Sequence, residues 1–454
     1  PSGTNPTARV LLVTGHFPPS AGVGVRRLVQ LCRFLAARGF DADVVTVSPA
    51  DHTVLAPDVP ADLPAGTRIA IAPLGPLPWI PLLNRIRARV ASTAGAGPAR
   101  ATAAELARRR EASGLPTEVR RSIVSVAEEL RARRWVSRAI REAARLGDGG
   151  YSAVVSSGPP HFVHAAASSL ARQHRAPLVV DLRDPWASRQ DMPLEVRCRL
   201  GLALARRTER AVLRQAALVL SNNPVAREAL VRRYPALADR IVTILNGSDE
   251  TPAPGAPPRH PFRITYAGSL YHGRDPRVLF HAVRRAMDRL GLSAGDVRIE
   301  FAGDETYDGV PLRELARECG IENSFVFAGR LGAIATAELL GRSHVLVSLP
   351  QDAPLCIPAK LFEYASYRCW LLLFADPGTA TEVVFRGTGA GIVAASASAG
   401  AIDEAASYIS ACLLRHQAGE SPPVLNADGR FSRPAQLERL WSELQPLMPA
   451  ASKQ

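Results

Sequence analysis

Side chains that can bind anionic groups occur in four loops, each of which follows an apolar run typical of a buried strand. The most informative loop is PLCIPAKLFEY at 354–364, in which Pro358 is a favourable residue to begin a helix. Lys360 and Glu363 would then lie on one face of the first helical turns. Backbone N–H groups and a lysine can hold a pyrophosphate, and a glutamate can accept hydrogen bonds from ribose hydroxyls. A surface ion pair at a helix start is the alternative interpretation.

The sequence uses lysine at two positions only, Lys360 and Lys453, among its 55 lysine and arginine residues. Arginine therefore fills nearly every position where either cation would serve. A lysine ammonium is a compact charge on a flexible stem, which a phosphate site can prefer to the planar arginine fork. The presence of lysine at position 360, in a chain that otherwise uses arginine, strengthens the interpretation of Lys360 as a phosphate ligand.

A second loop, GSLYHGRD at 268–275, comes directly after the apolar run 262–267. Its glycines, among them Gly268, allow a ligand to approach the backbone closely, and Arg274 can make charge-assisted hydrogen bonds to phosphate. Many strand–helix turns carry glycine and arginine, so this loop alone is a weak signal.

A third loop, GHFPPSAGVG at 15–24, contains Gly22 and Gly24 and follows the first predicted strand. It lacks the complete GxGxxG spacing, and no acidic residue ends the second predicted strand. A plain NAD site is therefore disfavoured.

The fourth candidate region combines the segments SGPPH, which ends at His161, and DLRDPW, both at predicted strand ends. Asp181, Arg183 and Asp184 place three charges after an apolar strand, which is costly unless they are paired or used in chemistry. The alternatives are a structural Arg–Asp pair and a histidine that packs at the start of a helix. Neither a Ser/His/Asp triad signature nor a Walker loop occurs in the sequence.

Strands and helices are predicted to alternate in both halves of the chain, which indicates two doubly wound parallel α/β sheets. The strands predicted in the first half are 9–14, 43–47, 153–156, 178–181, 218–221 and 241–245, and the helices are 25–38, 160–174 and 194–215. In the second half, the predicted strands are 262–267, 298–302, 324–327, 345–349 and 370–374, and the helices include 310–319, 333–340 and 359–367. TPAPGAPP at 251–258 is the clearest linker between the halves.

Length and composition limit the class of protein. The 454 residues suit two domains of about 200 residues each, and 47% hydrophobic with 21% charged residues is typical of a soluble globular protein. Six scattered cysteines without a CxxC motif argue against a disulfide framework or a zinc site and fit a reducing cytosol. The sequence predicts no signal peptide, and no apolar stretch approaches the roughly 18 residues that span a bilayer.

The formal net charge is +13, and residues 76–150 contribute strongly, because 15 arginines there outnumber 7 acidic residues. This segment is predicted to form amphipathic helices and loops. Solvated arginines on helix faces are one interpretation, and contact with an anionic membrane surface or acceptor is the other. Nucleic-acid binding is disfavoured, because aromatic residues are sparse there and no binding motif occurs.

Seven motifs occur along the chain in this order: PPSAGVGVRR, SGPPH, DLRDPW, ILNGSD, ITYAGSLYHGRDP, FAGR and IPAKLFEYAS. Taken together, they resemble the motifs of the glycosyltransferase family 4 type, whose members are retaining enzymes of the GT-B fold. The resemblance covers nearly the whole chain. It implies two Rossmann-like domains that face each other across a cleft, at 1–250 and 259–425, with a carboxyl-terminal helix in 426–454 that crosses back to the first domain.

The resemblance also implies a nucleotide-sugar donor bound mainly by the second domain, with no metal ion and no further cofactor. Its donor-binding residues would be Gly22, Gly24, Gly268, Ser269, Arg274, Arg330, Lys360 and Glu363. Among these, Arg274 and Lys360 would hold the diphosphate and Glu363 the ribose. The sugar and acceptor side, including the catalytic residues, would be formed by His161, Asp181, Arg183 and Asp184. The basic segment 76–150 would cover the acceptor side, where peripheral contact with an anionic membrane is predicted.

Three departures from the family pattern bear on the sugar side of the site. The first glutamate of the usual pair is Leu355 here, so Gln351 or Asp352 is considered as a substitute. Arg183 occupies the position of a common histidine, and Ser269 that of a common arginine. Two other functions remain open: a catalytically idle subunit that binds a nucleotide or a partner, and a nucleotide-sugar 2-epimerase. The sequence predicts a cytoplasmic protein, with no prediction of sugar, base, acceptor or oligomeric state.

Overall fold

The structure, a computed structural model, describes ten ranges of the chain: 8–20, 23–51, 62–75, 117–147, 150–188, 196–249, 257–270, 273–351, 353–396 and 398–448. Gly22, Asp352 and most of the predicted linker lie outside these ranges. The basic segment 76–150 is described from 117 onward, apart from 148–149.

The first sheet has seven strands in the order β3–β2–β1–β4–β5–β6–β7. They are β1 (Ala8–Thr14), β2 (Phe40–Val47), β3 (Arg68–Ala72), β4 (Tyr151–Gly158), β5 (Leu178–Leu182), β6 (Leu218–Ser221) and β7 (Ile241–Thr243). The helices among them are α1 (Val23–Ala36), α2 (Thr117–Ala144), α3 (Val163–His174), α4 (Arg199–Gln215) and α5 (Pro224–Arg233). Strand pairs from β3 to β5 are parallel, and the central β1 is buried from Val10 to Thr14, as a strand covered on both faces requires.

The second sheet has six strands in the order β12–β9–β8–β13–β14–β15. The strands from here on are β8 (Phe262–Gly268), β9 (Val297–Gly303), β10 (Thr306–Tyr307), β11 (Val310–Pro311), β12 (Phe325–Gly329), β13 (Val345–Ser348), β14 (Trp370–Phe374) and β15 (Gly391–Val393). The helices are α6 (Arg277–Leu290), α7 (Leu312–Glu318), α8 (Ala333–Gly341), α9 (Lys360–Tyr364), α10 (Ala380–Phe385), α11 (Ala399–Gln417) and α12 (Arg433–Leu444). All five strand pairs are parallel, and β10 and β11 form a separate antiparallel pair.

Both faces of the second sheet are covered by apolar side chains. Val345 and Val347 of β13 pack into one buried cluster, whereas Leu346 between them packs into the other. This alternation follows from the two-residue period of a strand. A sheet buried on both faces fixes the positions of its strand ends, from which the candidate binding loops extend.

The chain divides by its internal contacts into one compact unit of Pro1–Leu220 with Leu444–Gln454, and a second unit of Ser221–Glu443. Within the described ranges, no helix is long and apolar enough to cross a membrane.

The predicted α/β class with two doubly wound parallel sheets is confirmed. Several boundaries differ from those predicted. The helix predicted at 310–319 begins at Leu312, because Val310 and Pro311 pair with the preceding two-residue strand. The helix predicted at 359–367 is the shorter α9. The sequence analysis placed no element at β3, α5, α10, β15 or α11, and α11 is rich in alanine, which gives only a weak apolar period.

Candidate functional site

Lys360 begins α9 and reaches the carboxyl end of β8. Its Nζ donates a hydrogen bond of 3.1 Å to the carbonyl oxygen of Ala267, and it lies 3.5 Å from the centroid of the Tyr266 ring. Burial, together with the nearby Arg274 guanidinium, holds the pKa of Lys360 well below its ordinary value. The aromatic face and the carbonyl are neutral partners, so the ammonium has no carboxylate in these contacts.

Glycine at position 268 permits this close approach. Gly268 has a φ of 139°, and a Cβ added there would lie 3.3 Å from Lys360 Nζ. On the neighbouring strand, a Cβ on Gly303 would lie only 2.2 Å from the carbonyl oxygen of Gly268. The ends of β8 and β9 therefore require glycine at both positions, which leaves backbone exposed beside the ammonium.

Arg274 is 7% exposed and connects the loop after β8 to the loop after β13. Its Nη1 donates to the carbonyl oxygen of Ser269 at 3.0 Å, and its Nη2 donates to Oε1 of Gln351 at 3.0 Å. The Gln351 amide in turn donates to the carbonyl oxygen of Cys356 at 3.0 Å. The sequence analysis considers Gln351 as a sugar contact. In the structure, its side chain holds Arg274 and the segment before α9 in place.

Two further predicted donor residues, Arg330 and Glu363, differ from each other in exposure. The Arg330 side chain is 83% exposed and pairs with Asp304 at 2.9 Å, while the same carboxylate accepts from the N–H of Leu270 at 2.9 Å. Arg330 is therefore tied to the loop after β8 through Asp304. Glu363 is half-buried in α9, one turn after Lys360. Leu355, at the position of the missing glutamate, accepts from the Asn223 amide through its carbonyl oxygen at 2.7 Å.

In the first unit, Asp181 at the end of β5 is buried and paired with Arg27 of α1. Arg27 binds both carboxylate oxygens, Nη2 to Oδ1 at 3.0 Å and Nε to Oδ2 at 3.1 Å. Ser157 at the end of β4 donates to Oδ2 at 2.8 Å. Arg27 was not among the predicted site residues, although it lies in the motif PPSAGVGVRR. The sequence feature that could have identified Arg27 is its position on the otherwise apolar face of a predicted helix.

Arg183 and Gly24, both predicted site residues, lie against each other. A Cβ on Gly24 would lie 1.2 Å from Nη1 of Arg183, so the guanidinium occupies the space that a side chain would need. Arg183 donates through Nη2 to the carbonyl oxygen of Pro159 at 2.5 Å and through Nε to that of Gly158 at 3.3 Å. Burial lowers the pKa of Arg183, and the Asp181 and Asp184 carboxylates oppose that shift.

His161 stacks on Trp186, with ring centroids 5.4 Å apart. Its Nδ1 lies 3.5 Å from Nε2 of His164, whose Nδ1 lies 2.9 Å from the Ser156 hydroxyl. Burial first, and the Arg183 charge second, lower the pKa of His161 to about 3. The imidazole is therefore neutral near pH 7. His164 and Trp186 were not predicted, although the three-residue spacing of the two histidines was visible in the sequence.

The arrangement thus offers two sets of groups. The second unit presents a lysine and an arginine beside glycine backbone, which is suited to a diphosphate. The first unit presents a neutral histidine and a half-buried arginine at the ends of β4 and β5. No group of three or more His, Cys, Asp or Glu side chains that could hold a metal ion occurs within the described ranges.

Comparison with known proteins identifies a family likeness in the first half of the chain. Residues 22–247 match the family described as "Glycosyl transferase 4-like domain". Comparison with curated protein sequences gave no match.

Three solved structures illustrate the likeness of fold. Sucrose-phosphate synthase from Thermosynechococcus elongatus has a TM-score of 0.62 and 17% identity, covering 97% of this chain and 99% of its own. HepE of Anabaena in complex with UDP and glucose has a TM-score of 0.59 and 15% identity, covering 97% and 100%. The structure described as trehalose-6-phosphate from E. coli bound with UDP-2-fluoro glucose has a TM-score of 0.56 and 12% identity, covering 98% and 100%. At these identities the likeness concerns the fold.

Proposed function

We propose that the chain is a retaining glycosyltransferase of the GT-B fold, because residues 22–247 match the family described as "Glycosyl transferase 4-like domain". It transfers a sugar from a nucleoside diphosphate sugar to an acceptor that is a glycan, a lipid-linked group or a natural product. The observation that carries the proposal is the Lys360 ammonium, held by a carbonyl and a ring face next to buried Arg274. Because neither of these two contacts of Lys360 is a carboxylate, its ammonium is available to bind an anionic ligand.

The donor is bound by the second unit in this proposal. Lys360 and Arg274 bind the diphosphate, Glu363 accepts from the ribose hydroxyls, and the Gly268 and Ser269 backbone lies along the phosphates. Arg330, exposed and anchored through Asp304, adds positive charge near the loop after β8. The complexes of HepE with UDP and with UDP-glucose make a uridine nucleotide the first donor to test.

Transfer requires the bond between the sugar C1 and the diphosphate oxygen to break, so negative charge develops on the departing diphosphate. Lys360 and Arg274 stabilise that charge without a metal ion, as preorganised cations in a partly dehydrated site do effectively. In the first unit, neutral His161 offers a hydrogen bond to the sugar, while Arg183 and Asp184 orient the acceptor. Asp181 acts through Arg27 and Ser157, which bind its carboxylate. In this proposal Gly24, together with Gly22 outside the described residues, is assigned to backbone contact with the phosphates.

The remaining predictions are part of the same proposal. The functional domains are 1–250 and 259–425, with 426–454 returning to the first. The protein is cytoplasmic and touches an anionic membrane peripherally through the basic segment 76–150.

A thermal-shift comparison of UDP, GDP, ADP and dTDP tests the donor site directly. We expect one nucleoside diphosphate to raise the melting temperature in the presence of a chelator, and the Lys360→Ala variant to lose that response. Stabilisation that requires a divalent cation would contradict metal independence. No stabilisation by any nucleotide, in a folded sample, would favour the idle subunit, for which the replacement of the first glutamate by Leu355 is the supporting observation.

Product analysis with the stabilising nucleotide's sugars then separates the enzyme classes. A transferase releases the nucleoside diphosphate and forms an acceptor glycoside with the donor's anomeric configuration. A nucleotide-sugar 2-epimerase would change the sugar without an acceptor. An inverted product would contradict the retaining assignment.

A further inference from the structure

A row of large apolar side chains is exposed on α2, outside every contact of the proposed donor site. Val119, Ile123, Val126 and Leu130 are 45%, 52%, 41% and 38% exposed. Their spacing of three or four residues places them on one side of the helix, over about three turns. Single exposed apolar residues are ordinary in a soluble protein, whereas a contiguous row indicates a surface that meets an apolar partner.

A row of arginines lies on the exposed side of α4. Arg206, Arg207, Arg210 and Arg214 line a shallow groove along this helix, together with two alanines. Within the described ranges, none of the four arginines forms an ion pair with a carboxylate. Four unpaired cations on two turns of one helix attract an anionic surface.

The amino-terminal turns of α2 and α4 pack side by side. Glu118 of α2 accepts from the backbone N–H of Arg199 at 3.0 Å, and Ser125 lies 3.4 Å from the Cys198 thiol that caps α4. Leu200, 39% exposed, follows Arg199 directly in the first turn of α4, where the two helices meet. We call the set Val119, Ile123, Val126, Leu130, Leu200, Arg206, Arg207, Arg210 and Arg214 the α2–α4 surface.

We propose that the α2–α4 surface docks on an anionic lipid bilayer. The apolar row enters the boundary between headgroups and acyl chains, and the arginines contact headgroup phosphates. An interfacial helix combines an apolar stripe with nearby cations and does not span the bilayer, which matches these two helices. A second copy of the chain would bring two sets of four unpaired arginines into one interface, which like-charge repulsion opposes.

Vesicle co-sedimentation of the full chain tests the proposal with pure phosphatidylcholine and with phosphatidylcholine mixed with phosphatidylglycerol. We expect binding to the mixed vesicles only, with release at high salt, because surface attraction is screened within a Debye length. Each arginine removed is expected to weaken binding about fivefold, the equivalent of about 1 kcal/mol per basic residue near such a surface. The triple variant Arg206→Gln, Arg210→Gln and Arg214→Gln should therefore bind at least tenfold more weakly.

Matched controls separate this surface from net charge and hydrophobicity. The triple variant Arg298→Gln, Arg313→Gln and Arg439→Gln removes the same charge from exposed positions of the second unit and should bind normally. Ile123→Ser should weaken binding, whereas Leu414→Ser should not, although both side chains are 52% exposed. The inference rests on the membrane contact that the proposed function assigns to the basic segment, and it locates that contact on two helices. The thermal shift with the nucleotide should be unchanged in all of these variants, so that a failure of this inference is distinguishable from a failure of the donor site.

Three results would overturn the proposal. One is the absence of binding to the mixed vesicles, and another is binding that neither the α4 arginine variant nor Ile123→Ser weakens. The third is a lowered melting temperature or a lost dimer in Ile123→Ser without an effect on vesicle binding. That result would assign the apolar row to another part of the chain or to a second copy.

Discussion

The ammonium of Lys360 lies on the face of the Tyr266 ring, 3.5 Å from its centroid, while it donates to the carbonyl oxygen of the next residue, Ala267. These partners hold the charge without neutralising it. A diphosphate that replaced the carbonyl contact would gain a charge-assisted hydrogen bond from a group already confined by its surroundings. The free protein therefore keeps the cation close to where the proposed donor needs it.

Removing this ammonium should weaken nucleoside diphosphate binding. We expect Lys360→Ala to reduce the binding free energy by about 1.5–3 kcal/mol, the contribution of a hydrogen bond to a charged group. Titration calorimetry with the nucleotide identified by thermal shift measures the change. Lys453→Ala, which removes the other lysine of the sequence, is the matched control. Unchanged affinity in a folded Lys360→Ala protein would place Lys360 outside the site.

Binding of the diphosphate should be accompanied by proton uptake. Burial and Arg274 lower the pKa of Lys360 in the free protein to well below 10.5, and a bound anion favours the charged form and raises that pKa again. Between the two pKa values the complex binds more protons than the free protein, so affinity falls as the pH rises through that window. Calorimetry in buffers of different ionisation enthalpy measures the uptake.

Lys360→Arg is the control for this titration, because arginine stays protonated at all accessible pH values. The variant should lose the uptake while keeping a positive charge. Equal proton uptake in the variant and the unmodified protein would assign the titration to another group.

The sequence predicted the loops of the candidate site better than it predicted the contacts between them. Strand ends and the loops at 268–275 and 354–364 follow from local patterns of apolar residues, glycine and proline. The sequence does not reveal that β8 lies beside β13, and this strand order brings Arg274 to Gln351. Side-chain partners across such loops depend on the assembled sheet.

The dependence of side-chain contacts on the assembled sheet also explains why some site residues of the first unit were not predicted. The sequence shows a charge at Asp181 after an apolar strand and predicts that it is paired or used in chemistry. Its partner Arg27 lies 154 positions earlier on a helix. His164 and Trp186 contact His161 only because the segments after β4 and β5 meet. Periodicity identifies which face of an element is buried, and it does not identify the residue on the other side of the contact.

Glycine at position 24 should be essential for the position of Arg183. We expect Gly24→Ala to displace the guanidinium, because the new Cβ would lie 1.2 Å from its Nη1. Loss of the hydrogen bonds to Gly158 and Pro159 should then cost about 1–3 kcal/mol of unfolding free energy, and transfer activity should fall. Chemical denaturation and a transfer assay measure the two effects.

A helical glycine with open space provides the matched control for that substitution. Gly400 in α11 has no atom within 4 Å of an added Cβ, so Gly400→Ala should leave activity unchanged and raise stability slightly. Nucleotide binding should also be unchanged in Gly400→Ala. A fully active and equally stable Gly24→Ala protein would show that Arg183 is held by other contacts.

The buried pair of Arg27 and Asp181 should behave as one structural unit. Their side chains are 8% and 6% exposed, so removal of one partner leaves the other charge buried without compensation. We expect Asp181→Ala to cost about 3–5 kcal/mol of unfolding free energy, and Arg27→Met with Asp181→Leu to cost less than the sum of the two single changes. Arg133→Ala, which breaks the more exposed pair with Glu129 on α2, should cost less than about 1 kcal/mol. Urea denaturation of the single, double and control variants measures the coupling. Additive effects at positions 27 and 181 would mean that Asp181 is stabilised mainly by Ser157 and its carboxylate is available for another role.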